Sequence, residues 1–118
     1  MNKTKGTLVI LTWNEIEGLK KIFDKIPIEQ IDEVFAIDPG STDGTLEFYK
    51  DNGIRFIIQD VKGRGEAFRI AFEEAKNDNL VFFSPDGNEN PEDILKMFNY
   101  LNEGYDMVIA SRFMKGAR

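Results

Sequence analysis

The sequence predicts an α/β fold: an open, mostly parallel sheet with helices on both faces. Three observations carry this. Five short apolar runs, Thr7–Leu11, Val34–Ile37, Ile54–Ile58, Leu80–Phe83 and Met107–Ala110, have strand length and almost no polar alternation, as strands covered on both faces require. Amphipathic stretches separate these runs. No linker, repeat or low-complexity tract interrupts the 118 residues, which fit one domain able to bury roughly 60–70% of its unfolded surface.

Each intervening stretch has a helical signature. Leu19, Ile22, Phe23 and Ile26 follow i, i+3, i+4, i+7 spacing, and Asn14 with Glu17 forms an N-cap pair ahead of them. Thr45 to Asn52 is a second, shorter helix closed by Asn52-Gly53. Gly65 to Lys76 is a third, with Ala67, Ile70, Ala71 and Ala75 facing inward. Asn90-Pro91-Glu92-Asp93 starts a fourth, with Asn90 as cap and Pro91 in the first turn; Ile94, Met97, Phe98 and Leu101 form its stripe and Gly104 ends it. The alternation gives β-α-β-α-β-α-β-α-β. With the first and fourth strands as central neighbours, the strand order is 3-2-1-4-5.

Composition narrows the chemistry. Hydrophobic residues make up 42%, with ten Phe, so a full core is expected, and Trp13 and the Phe-rich stretches are assigned to it. The net charge of −6 makes a nucleic-acid backbone a poor partner. There is no Cys and no His. Thiol chemistry, disulfides, the usual zinc sites and His-based triads are therefore excluded. A metal bound here would be a hard, oxygen-liganded ion such as Mg²⁺ or Mn²⁺. The apolar run Leu8 to Leu11 is too short for a signal peptide or a membrane span. The expected location is cytoplasmic.

A polar cluster follows each strand, and all five clusters fall on one edge of a parallel sheet, where such sheets bind ligands. They are Thr12-Trp13-Asn14-Glu15; Asp38-Pro39-Gly40-Ser41-Thr42-Asp43-Gly44-Thr45; Gln59-Asp60 with Lys62-Gly63-Arg64-Gly65; Ser84-Pro85-Asp86-Gly87-Asn88; and Ser111-Arg112. Asn14 and Asp43 serve equally well as plain helix caps. Lys62 to Gly65 serves as a turn into a helix, Asp86-Gly87 as a simple turn, and Arg112 as a solvated charge. Asp38 is harder to assign to a passive role. A carboxylate at the tip of a buried strand needs pairing, hydrogen bonds or a ligand.

Taken together these elements resemble the nucleotide-binding half of a family 2 glycosyltransferase with a Rossmann-like GT-A core. The nearest likeness is to the dolichyl-phosphate mannose synthase-like branch, which transfers sugars to polyprenyl phosphates. Asp38 to Thr45 is the most specific element, and the likeness covers nearly the whole chain. It implies a nucleotide-diphosphate sugar as ligand, a lipid phosphate as a candidate acceptor, and action at the cytoplasmic face of a membrane. The substrate-binding set it implies is Thr12, Asn14, Glu15, Asp38, Gly40, Ser41, Asp43, Gly63, Arg64, Asp86 and Arg112. Glu15 and Asp38 would meet base and ribose. Gly40 and Ser41 would turn the backbone beside the ligand, and Asp43 would brace that loop. Gly63 and Arg64 would lie under ribose and phosphates. Asp86 would hold Mg²⁺ or Mn²⁺ on the diphosphate, with Asn88 offering an amide oxygen. Arg112 would approach a phosphate.

Two departures stand out. Where the family carries Asp-x-Asp after the fourth strand, this chain has Ser84-Pro85-Asp86, so one of two metal carboxylates is replaced by a hydroxyl. The chain also stops soon after Ser111-Arg112, so residues 1–118 are expected to form one nucleotide-sugar-binding domain, truncated relative to the family. An uncovered fifth-strand edge would favour self-association or a partner subunit. A rival within the same chemistry is a non-catalytic nucleotide-sugar binding module that completes its site with a partner chain. A receiver-like signalling domain fits poorly, because the Lys it needs after the fifth strand is absent.

Overall fold

A computed structural model of the chain describes residues 4–60, 63–85, 90–102 and 108–109. Five strands form one sheet in the order β3-β2-β1-β4-β5, and every neighbouring pair is parallel. The strands are β1 (Thr4–Leu11), β2 (Ile31–Asp38), β3 (Arg55–Ile58), β4 (Leu80–Phe83) and β5 (Val108–Ile109). The helices are α1 (Ile16–Ile22), α2 (Thr45–Asp51), α3 (Arg64–Glu74) and α4 (Ile94–Asn102). The expected fold class and strand order are therefore observed.

Strand alternation sorts the core into two layers. Leu8, Ile10, Ala36, Val81 and Phe83 point to one face and meet Leu19 of α1, Tyr49 of α2, and Ile94, Met97, Phe98 and Leu101 of α4. Val9, Phe35, Ile37, Leu80 and Phe82 point to the other face, which α3 covers with Ala67 and Ala71. Small residues on α3 let it lie close to the sheet, and Phe68 tilts against Phe82 with ring centroids 4.6 Å apart.

Local chemistry explains most element ends. Asn90 accepts a hydrogen bond from the Glu92 backbone N–H, and Pro91 occupies the first turn, which is a 3₁₀ turn running directly into α4. The first helix is shorter than its apolar spacing predicts: after Ile22 the chain tightens into a 3₁₀ turn, Phe23–Lys25, and Ile26 enters the core in extended form just before Pro27. A residue ahead of proline is pushed out of the helical region. Register then brings the strand ends together. Leu11 lies opposite Ile37, Asp38 opposite Ile58, and Ile10 opposite Phe83, so the loops after β1, β2, β3 and β4 emerge along one edge.

Candidate functional site

Two of these loops are stitched together. Asn14 adopts a left-handed backbone with φ of 53°, a conformation Asn tolerates better than most side chains. This turns three consecutive N–H groups toward the β2–α2 loop. Asn14 N–H donates to Ser41 Oγ at 2.7 Å, Glu15 N–H to Thr45 Oγ1 at 3.0 Å, and Ile16 N–H to Asp43 Oδ2 at 3.1 Å. In return Asn14 Oδ1 accepts from the Thr42 N–H at 2.9 Å. The free donors at the start of α1 are thus satisfied by side chains from far along the chain rather than by a local cap. The expected Asn14/Glu17 capping pair is corrected accordingly: the residue before α1 is Glu15, and it makes no side-chain cap bond.

Asp43 closes the same loop on its other side. Its Oδ1 accepts from the Thr45 N–H at 3.1 Å and the Thr45 hydroxyl at 2.6 Å. Partial burial alone would raise its pKa, but the hydrogen bonds from Thr45 and from the Ile16 N–H outweigh that and hold it below the ordinary carboxylate value.

Asp38 lies beneath the stitched loops and is 0% exposed. Its Oδ1 accepts from the Gly40 and Ser41 N–H groups, both at 2.7 Å, and its Oδ2 accepts from the Thr12 and Ser41 hydroxyls, both at 2.7 Å. Gly40 makes the turn possible with φ of 120°. The resemblance sets Asp38 against base and ribose; in this structure its carboxylate is turned to the donors of its own loop and of Thr12. Four short internal bonds use the acceptor sites of the carboxylate, so in this structure Asp38 is the brace of the loop.

The space these loops enclose is a cleft of about 300 Å³ at the edge of the sheet, at the small end of the usual range for ligand pockets. Leu11, Ile37, Pro39 and Ala67 give it apolar walls; Thr12, Glu15, Gln59 and Ser84 supply polar groups; Gly63 lies at the start of α3. Trp13 stands in the wall with 54% of its surface exposed. The expectation that Trp13 belongs to the core is therefore wrong: its neighbours in the loop are held by hydrogen bonds, and among the described residues it joins neither core layer. Gln59 is buried and its Nε2 donates to the Gly63 carbonyl at 2.8 Å, tying the β3–α3 turn to the cleft floor.

Gly18 positions the β4 end of the cleft. A Cβ built there would lie 1.9 Å from the Pro85 carbonyl oxygen. Only glycine lets α1 approach that backbone so closely, and Ser84-Pro85 is thereby pressed, buried, against the helix.

Of the expected site residues, the fold brings Thr12, Glu15 and Gly63 to the cleft wall. It places Asn14, Asp38, Gly40, Ser41 and Asp43 in the bracing behind or beside that wall. Arg64 is the first residue of α3. Asp86, Asn88 and Arg112 lie outside the described residues. Among the described residues no group of three or more acidic side chains is placed to hold a metal ion. The chemistry of the expected donor set, Asp86 and Asn88 with Ser84 in place of an acid, fits a hard cation that takes most of its ligands from phosphate and water. Gln59, Pro39 and Trp13 also line the cleft; each lies in one of the edge clusters but outside the substrate-binding set expected from the sequence. For Gln59 and Pro39 the available signal was position, since each follows a strand on the ligand-binding edge.

The chain belongs to the family described as Glycosyl transferase family 2, which its residues 7–117 match. It is similar to Glycosyltransferase AglJ of Haloferax volcanii, with 37% identity over 103 residues covering 86% of this chain and 34% of that protein. It is 29% identical to the Dolichol-phosphate mannosyltransferase of Pyrococcus furiosus over 97% of this chain and 35% of that protein. Among solved structures, glucosyl-3-phosphoglycerate synthase from Mycobacterium tuberculosis in complex with Mn²⁺ and UDP-glucose superposes with a TM-score of 0.70 and 25% identity, over 86% of this chain and 40% of that one. The UDP complex of the same enzyme gives a TM-score of 0.73. The sheet is thus a GT-A core, and the chain spans about a third of the length of these two curated relatives. No helix among the described residues is long and apolar enough to cross a membrane.

Proposed function

We propose that the cleft binds the nucleoside diphosphate part of a nucleotide-sugar, and that the chain is the donor-binding portion of a glycosyltransferase acting on a polyprenyl phosphate at the cytoplasmic face of a membrane. The observation that carries this is the cleft itself: an aromatic face and a carboxylate on an apolar floor, held by two cross-braced loops. Trp13 offers the indole face on which a base stacks. Glu15 accepts hydrogen bonds from base N–H or ribose hydroxyl groups. Gly63 and Arg64 would lie under the ribose and phosphates, and Arg112, outside the described residues, would approach a phosphate. Asp86 with Asn88 would hold Mg²⁺ or Mn²⁺, which supplies charge stabilisation to the diphosphate leaving group when bound.

The name of the Pyrococcus furiosus relative favours a polyprenyl phosphate acceptor. Such an acceptor is already ionised and needs no general base, consistent with a cleft in which Glu15, the one carboxylate lining it among the described residues, is assigned to binding. Ser84 favours a second reading, a binding module without turnover, because losing a carboxylate at the cation site lowers cation affinity.

The single tryptophan makes the test direct. Titrating UDP and GDP into the chain, with and without Mg²⁺ or Mn²⁺, should change Trp13 fluorescence saturably, and more tightly with metal. No change with either nucleotide at millimolar concentration would remove the reading. Sugar release from a nucleotide-sugar by the chain alone would exclude the module without turnover.

A further inference from the structure

Tyr49 on α2 is 0% exposed and belongs to the core layer formed with Leu19 and Ala36. Its ring lies 6.0 Å from that of Phe56, so packing alone would be served by phenylalanine. The hydroxyl nevertheless has a partner: it donates to Thr12 Oγ1 at 3.0 Å. The direction of the bond follows from the next link. Thr12 has one O–H, and Asp38, whose carboxylate only accepts, takes it at 2.7 Å. Tyr49 must therefore be the donor. Asp38 in turn holds the Gly40 and Ser41 N–H groups. Burial raises the Tyr49 pKa, which keeps the phenol protonated and able to donate.

We propose that Tyr49 is a positioning residue for the cleft, its buried hydroxyl fixing Thr12 in the cleft wall and, through Thr12 and Asp38, the pose of the loop from residue 38 to 41. The proposal rests on the nucleotide-binding reading of the cleft for its functional consequence, and on the hydrogen-bond chain alone for its structural one. Removing the hydroxyl leaves Thr12 Oγ1 without its donor inside the core, so Thr12 is free to turn away and Asp38 shares its acceptors differently.

The test compares Tyr49→Phe with Ile94→Val in the 118-residue chain. Ile94 is buried in the same core layer but outside the chain of hydroxyls, so its trimming controls for general loosening. Two quantities are measured: amide hydrogen exchange at Gly40 and Ser41 by NMR, and UDP affinity by Trp13 fluorescence. Tyr49→Phe should accelerate exchange at those two amides about tenfold more than at β1 core amides and weaken UDP roughly five- to tenfold, effects of the size expected for one buried hydrogen bond. Ile94→Val should do neither beyond about twofold. Unchanged Gly40 and Ser41 exchange in Tyr49→Phe, equal losses in both variants, or loosened amides with intact UDP affinity would each overturn the proposal. If the unmodified chain binds no nucleotide, the reading of the cleft fails, while the amide comparison still decides whether Tyr49 sets the loop.

Discussion

Asp38→Asn separates a bracing carboxylate from a ligand-contacting one. The substitution keeps shape and volume, so no cavity term enters. With the amide oxygen in the Oδ1 position, the Gly40 and Ser41 N–H groups keep an acceptor but lose charge assistance. The amide nitrogen then faces the Thr12 and Ser41 hydroxyls, both of which donate to Asp38 in the native protein. Those hydroxyls already accept from Tyr49 and from the Asn14 N–H. They can accept once more, but their own protons lose their acceptor in a buried place. Two weakened bonds and two orphaned donors sum to about 3–5 kcal/mol. That is a large share of the roughly 5–15 kcal/mol typical of a domain, equivalent to a fall in melting temperature of roughly 10–20 °C. Urea unfolding at neutral pH, followed by far-UV circular dichroism, measures it. A variant within about 0.5 kcal/mol of the unmodified chain, the scatter of neutral surface changes, that has nevertheless lost nucleotide binding would show that Asp38 acts on the ligand and that the bracing role is wrong.

Gly18→Ala should destabilise by about 1–3 kcal/mol through overpacking, because the new Cβ would meet the Pro85 carbonyl oxygen at 1.9 Å. The sign is opposite to the gain that alanine ordinarily brings to a helix, and a stability equal to or above that of the unmodified chain would refute the close contact. Trp13→Ala removes a side chain that is 54% exposed, so stability should change little. Nucleotide affinity, measured by calorimetry, should fall roughly 5- to 150-fold if a base stacks there. For Asp43 the folded-state pKa lies below the ordinary 3.8. The folded chain therefore holds the proton less tightly than the unfolded chain, and the stability contributed is present above that value and lost as pH falls through the depressed one. Asp43→Asn should flatten the acid limb of a stability-against-pH curve below about pH 5; an acid limb identical in both proteins would show that the Thr45 and Ile16 bonds do not act on this carboxylate.

Strand and helix identity were legible because their signals are local. The apolar runs at Leu80–Phe83 and Val34–Ile37 could hardly be anything but buried strands, and Asn90-Pro91 announced its turn without help from the rest of the chain. Trp13 was misassigned because hydrophobicity alone does not say whether a layer of core lies above a residue. Asn14 was misassigned because a cap signature is local, whereas the groups that satisfy the start of α1 come from Ser41, Asp43 and Thr45.

The sequence by itself determined where the strands, the helices and the polar clusters after the strands lie, since periodicity and turn chemistry act over a few residues; the order 3-2-1-4-5 followed only once the first and fourth strands were taken as central neighbours, a pairing between distant segments that the fold supplies. The tertiary structure alone decided which of the clustered polar residues face the cleft and which hold it shut from behind. Thr12 and Asp38 are 26 residues apart, Asn14 and Ser41 27, Glu15 and Thr45 30. A carboxylate's role depends on all the donors the fold delivers to it: Gly40 and Ser41 reach Asp38 from its own turn, but Thr12, and with it Tyr49, is brought there only by the pairing of β1 with β2.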